Sequence, residues 1–149
     1  MGYLEEAPAF YRVKRHNIKA KEALAVNDKF YLADLGIGTA VLGRRDADMG
    51  RLMENLVFLE LRRRGFAVYA GRLADAEVDF VAMSGSGKAY AQACYSMRGP
   101  ATEERETRPL RAIRDGHGKV VITMEKSLNA DRDGIAEIGL REFPTGRPL

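Results

Sequence analysis

Two acids in this 149-residue chain stand where carboxylates are costly. Asp79 lies between Val78 and Phe80 in a run whose alternation predicts a strand, and Glu54 is flanked by Val57, Phe58 and Leu61 in a run whose spacing predicts a helix. An acid in such a setting needs a partner, so both are candidate site residues. The plain alternatives are ion pairs, of Asp79 with Arg72 and of Glu54 with an arginine between positions 101 and 114. A period of two puts Glu77, Asp79 and Val81 on one strand face and Val78, Phe80 and Ala82 on the other. On the next strand Tyr90, Gln92 and Cys94 share a face, opposite the small residues Ala89, Ala91 and Ala93.

Other chemistries fare less well. Cys94 as a nucleophile needs a base beside it, and neither His16 nor His117 is placed there by the sequence, so Cys94 reads as a small inert hydrophobe. Gly85, Ser86, Gly87 and Lys88 resemble the end of a phosphate loop. The earlier glycine is replaced by Ala82, the following Ser/Thr by Ala89, and the segment joins two strands, so it reads as a hairpin turn. No nucleotide fingerprint, thiolate pair or hydrolase elbow is present, which disfavours a small-molecule enzyme.

The elements that must position these residues follow from spacing and punctuation. Residues 9–14 and 22–26 read as strands of a hairpin, and residues 29–34 as a third apolar run closed by Gly36 and Gly38. A short helical turn is expected over 39–42. Residues 48–64 carry the strongest helix signal, with Asp48 as N-cap, Gly65 as stop and three arginines at the carbonyl end. Its apolar residues run around nearly the whole circumference, which predicts a largely buried helix. Strands are expected over 66–70, 77–83 and 88–95, a helix over 101–114 with Leu110 and Ile113 facing a core, and a buried strand over 119–124. Arg105 and Glu106 point about 100° apart and are expected to partner other elements. Tyr31, Asp34 and Tyr95 read as packing and anchoring residues.

Composition sets the frame. The length suits one domain, and 46% hydrophobic with 30% charged residues is ordinary for a globular protein. Apolar stretches of four or five residues are far from a bilayer span of about 20. There is no secretory signal pattern and a single cysteine, so a cytoplasmic location and no membrane partner are expected. The net charge of +3 permits a nucleic-acid partner without requiring one. The basic runs Lys14-Arg15-His16, Arg44-Arg45 and Arg62-Arg63-Arg64 read as solvated faces.

Glu54 in a helix, Glu77-Val78-Asp79-Phe80 on a strand and Gln92-Ala93-Cys94 on the next together resemble the PD-(D/E)XK nuclease superfamily. More specifically, Lys29 to Gly36, Glu54 to Leu61, Glu77 to Val81 and Glu104-Arg105-Glu106, in this order, resemble the C-terminal DUF4143 region of AAA-type ATPases, over roughly positions 3 to 143. The resemblance implies an α/β fold with a restriction-endonuclease-like core, αβββαβ around a mixed central sheet, preceded by a β-hairpin. Residues 1–28 would then be the tail of an upstream winged-helix segment and residues 29–149 the nuclease-like domain, with the ATPase module lying outside this chain.

In active members of the superfamily, carboxylates on the helix and on two strands hold Mg²⁺ or Mn²⁺, which polarises the phosphate and lowers the pKa of its water, and a lysine positions that water. Carried onto this chain, Asp79 matches the central catalytic and metal-binding acid, Glu54 the helical acid, Gln92 the second strand ligand and Cys94 the lysine. Gln92 supplies only a neutral carbonyl and Cys94 no positive charge. Lys88 shares their face but lies roughly 20 Å along the strand from Cys94 and cannot replace it. Arg105 or Arg108 is expected to clamp phosphate, not to accept a proton. The expectation is a DNA-associated, weakly active or inactive nuclease-fold domain. The rival expectation is a protein-interaction or oligomerisation module that has kept the fold and lost the chemistry.

Overall fold

A computed structural model describes residues 9–36, 49–74, 76–85, 87–125 and 131–143. The turn expected over 39–42, the Asp48 cap and Arg44-Arg45 lie outside the described residues. Two strands open the chain, β1 (Phe10–Asn17) and β2 (Glu22–Leu32), followed by the helix α1 (Met49–Arg63). Three more strands follow, β3 (Ala67–Leu73), β4 (Ala76–Ser84) and β5 (Gly87–Cys94), then α2 (Pro100–Arg111), β6 (Gly118–Thr123), β7 (Asp131–Arg132) and β8 (Ile135–Gly139). From α1 to β6 the order is α, β, β, β, α, β, as the spacing predicts. These strands make one mixed sheet ordered β2-β1-β3-β4-β5-β6-β8-β7, with parallel pairing at β1/β3, β5/β6 and β6/β8.

The two helices cover opposite faces. On one face Met53, Val57, Phe58 and Leu61 of α1 join Val13, Tyr31, Val68, Phe80, Ala82, Ala91 and Ile122 in one core. On the other, Leu110 of α2 and Ile113 just beyond its end join Val78, Val81, Tyr90, Cys94 and Val121. The interior strand β6 is therefore apolar without alternation, Val120, Val121 and Ile122 all being buried. No helix among the described residues is long and apolar enough to cross a membrane.

Helix α1 ends as its sequence signals. Gly65 adopts φ +83°, a left-handed conformation that Gly reaches at no steric cost, and its N–H and that of Phe66 close back onto Arg62 and Leu61. The expectation of a largely buried helix is corrected. Leu52, Leu56 and Leu59 stay half-buried because α1 lies on one face of a sheet with nothing described above it. Arg62 and Arg63 are exposed as expected, Arg62 lying over the Tyr11 ring, while Arg64 is half-buried over those of Phe66 and Phe143.

Two strand predictions change in instructive ways. Residues 22–26 and 29–34 are not separate strands: β2 runs through both, accommodating extra residues opposite Lys14 where Asn27 takes φ 58°. In β4 the strict alternation fails. Tyr69 of β3 pairs with Val81 but Gly71 pairs with Val78, so β4 carries one extra residue between its valines, and both face the α2 core. Strands β7 and β8 escaped the sequence reading because both are short.

A side chain at Gly71 would meet Ile18 Cδ1 and Val81 Cγ2 at 3.0 Å and Val78 Cβ at 3.1 Å. Gly71→Ala should therefore destabilise the protein by about 1–3 kcal/mol through overpacking. Gly50→Ala, with open space in α1, should be neutral or stabilise by up to about 1 kcal/mol. Urea denaturation of the two variants checks this; equal effects would refute the tight β3–β4 contact.

Candidate functional site

The extra residue in β4 falls at the position that matters. The β4/β5 ladder runs from Ser84↔Gly87 to Phe80↔Ala91 and goes no further, while β5 continues beside β6 through Cys94. In the fork that opens, the Asp79 carboxylate replaces the missing ladder. Ala93 N–H donates to Asp79 Oδ2 at 3.0 Å, and Asp79 N–H donates to the Gln92 side-chain carbonyl at 3.2 Å. A mid-strand acid is thus tolerated because it satisfies a backbone donor that the parting strands would otherwise orphan.

Asp79 and Glu54 converge, but on a residue the sequence reading treated as ordinary strand. Lys29, in β2, places its Nζ 2.8 Å from Glu54 Oε1, 2.6 Å from Glu77 Oε1 and 3.7 Å from Asp79 Oδ1. Tyr31, one strand repeat further on, donates its hydroxyl to the same Glu54 oxygen at 2.6 Å and stacks on Phe58 at 4.3 Å. Beside them Arg15 of β1 pairs with Glu77. The expected alternatives, Arg72 for Asp79 and an α2 arginine for Glu54, are replaced by this one ammonium. Asn55 fixes α1 over β2 by bonding both the N–H and the C=O of Leu32, at 2.8 and 3.0 Å.

Gln92 belongs to the other side of the fork. It shares its face with Tyr90 and Cys94, and its amide nitrogen donates to Glu106 Oε2 of α2 at 3.3 Å. Arg105, against expectation, partners its neighbour Glu106 at 2.8 Å, its flexible side chain wrapping back along the helix surface. Arg108 is exposed. Cys94 is buried, donating to Ser96 O at 3.0 Å. The structure gathers Glu54, Glu77 and Asp79 around Lys29; it holds Gln92, Glu106 and Arg105 in a separate chain of bonds linked through the backbone of Asp79.

Electrostatics follow from the crowding. Burial, then the Glu54 charge, pushes the Asp79 carboxyl up to about 7, against the pull of Lys29 and the Ala93 N–H. Burial alone would lower Lys29, but Glu54 and Asp79 outweigh it and hold the ammonium above its usual range. Glu77 resists its own burial through Lys29 and Arg15 and lies below the ordinary carboxylate range. Burial and Glu54 raise the Tyr31 phenol, and burial and Glu106 raise the Cys94 thiol away from nucleophilic character.

These residues do not fit a hard divalent cation. An ammonium already sits among the three acids, and the Gln92 carbonyl accepts from the Asp79 backbone. Among the described residues no group of three or more His, Cys, Asp or Glu is arranged to hold a metal.

The chain is similar to an uncharacterised protein of Haemophilus influenzae, 33% identical over 138 residues, which is 93% of this chain and 34% of that protein. It is also similar to an uncharacterised protein of Methanocaldococcus jannaschii, 42% identical over 71 residues, 44% of this chain and 16% of that protein. The chain thus spans about a third of the first relative's length and less of the second. No family model and no solved structure matches it.

Lys29→Met leaves the half-buried Glu54 and Asp79 without their cation and should destabilise the fold by about 1–3 kcal/mol at pH 8. The pH sign follows from Asp79, whose carboxyl is pushed up to about 7 in the folded protein, above its ordinary range near 4. The folded state holds that proton between about pH 4 and 7, so the stabilising contribution falls as pH rises through this window. The loss in Lys29→Met should therefore shrink at pH 5, where Asp79 is neutral. Urea titrations at both pH values check this; an equal loss at both would contradict the ammonium's electrostatic role.

Proposed function

We propose that this chain is a nuclease-fold module of the PD-(D/E)XK type, the DUF4143-like region of an AAA-type ATPase family protein. In this reading it associates with DNA and no longer cleaves it. The αβββαβ order, the mixed sheet, the acid at the β4/β5 fork and the helical acid beside it support the restriction-endonuclease-like assignment. The small fraction of the first relative's length that the chain spans is compatible with a module of a larger protein.

The observation that carries the loss of cleavage is Lys29. Its ammonium contacts Glu54 and Asp79 together, the two acids that an Mg²⁺ or Mn²⁺ ion would need. A cation built into the fold neutralises the acids, yet it has no exchangeable water to activate and no vacant coordination position for phosphate. With Cys94 in the lysine position and Gln92 turned toward Glu106, both features needed for a water attack are missing.

A second reading, a protein-interaction or oligomerisation module, is favoured by the same neutralised fork and by large rings left in water, Phe10, Phe30 and Tyr95. It predicts concentration-dependent self-association instead of DNA binding.

Calorimetric titration of Mn²⁺ at low salt should give no binding heat with the wild type or with Asp79→Ala. DNA should be bound at micromolar concentrations, weakening as salt rises, and left intact with either metal. Metal binding that vanishes in Asp79→Ala would overturn the loss of cleavage; absence of any DNA binding would overturn the association.

A further inference from the structure

We infer that the open sheet face at the β1–β2 end is a platform for single-stranded nucleic acid, with Phe10 and Phe30 stacking on bases and Arg12 and Lys14 meeting phosphates. The inference rests on the DNA-association reading and gives it a surface, in place of Arg105 and Arg108.

Strand β1 alternates cleanly. Tyr11 and Val13 turn toward α1 and its core, and Arg15 reaches Glu77 on that side. Phe10, Arg12 and Lys14 turn the other way and are exposed. Register adds β2 to the same face, since Arg12 pairs across from Phe30 and Phe10 from Leu32. Helix α2 covers β4, β5, β6 and β8 and does not extend over β1 or β2, so this part of the sheet has no helical layer among the described residues.

What remains is unusual for a surface. Phe10 and Phe30 are 57% and 64% exposed, and the Arg12 side chain between them is 69% exposed, tethered by Asp28. The two rings are diagonal neighbours on an antiparallel pair, roughly 7–8 Å apart. Flat rings in water beside cations suit a polyanion that carries flat bases; an apolar protein partner would not call for Arg12 next to both rings and Lys14 beyond them. A duplex keeps its bases stacked inside and offers the rings nothing to stack on, which selects the single strand.

The test is fluorescence anisotropy of a labelled oligothymidylate against the whole chain, with a duplex of similar length as second probe. The wild type should bind the single strand, and Phe10→Ala/Phe30→Ala should weaken it by at least about tenfold with unchanged thermal unfolding. Phe10→Tyr/Phe30→Tyr should retain binding, because stacking survives. Arg12→Gln/Lys14→Gln should reduce the slope of log affinity against log salt by about 1.4. Unchanged single-strand binding in the double alanine variant overturns the inference. If duplex binding persists in that variant and disappears in Arg105→Ala/Arg108→Ala, the inference falls and DNA association stands. If the wild type binds neither probe, both fall, and self-association abolished by the double alanine change would assign the face to a second copy of this chain.

Discussion

The ammonium of Lys29 is the interaction on which the rest of the site depends. Glu54 from α1 and Glu77 and Asp79 from β4 all turn toward one point, and carboxylates removed from water at such spacing repel one another. Lys29 arrives from β2, outside the αβββαβ core, and Arg15 arrives from β1. The N-terminal hairpin is therefore not an appendage to the core but the source of its counter-cations. Three carboxyl groups against two cations leave an excess, and it falls on Asp79, the most deeply enclosed of the three.

The geometry of β4 makes that enclosure workable. One extra residue between Val78 and Val81 sends both valines into the α2 core and frees Asp79 to enter the fork on the α1 side. There it accepts the Ala93 N–H that no strand can reach. Gly71 gives room for the two valines to converge. The fork is thus fixed by backbone register, while its charge balance is fixed by side chains from a different part of the sheet.

Much of the fold was legible because its signals are local. Gly65 and the preceding arginines bound α1, alternating apolar residues mark β3 to β5, and the β-branched run marks β6. Glu54 and Asp79 each stood out because an acid is costly where it stands, while their meeting at one site was implied only by the family resemblance. Lys29 was not. A lysine at the start of an apolar run looks like a solvated strand end, and only the pairing of β1 with β3 brings it over β4. The bulge at Asp79 was equally hidden, because period-two alternation assumes the regularity that a bulge breaks. Gln92 was read on the correct face of β5, but the twist of Asp79 out of register separated the two residues' side chains.

In the proposed reading the ammonium of Lys29 takes the position that a metal ion holds in a cleaving nuclease fold. A crystal structure of the protein soaked in Mn²⁺, phased to show anomalous scattering, tests it directly. Lys29 Nζ is expected between Glu54, Glu77 and Asp79, with no anomalous peak there. A manganese peak bridged by Glu54 and Asp79, with Lys29 displaced, would contradict it.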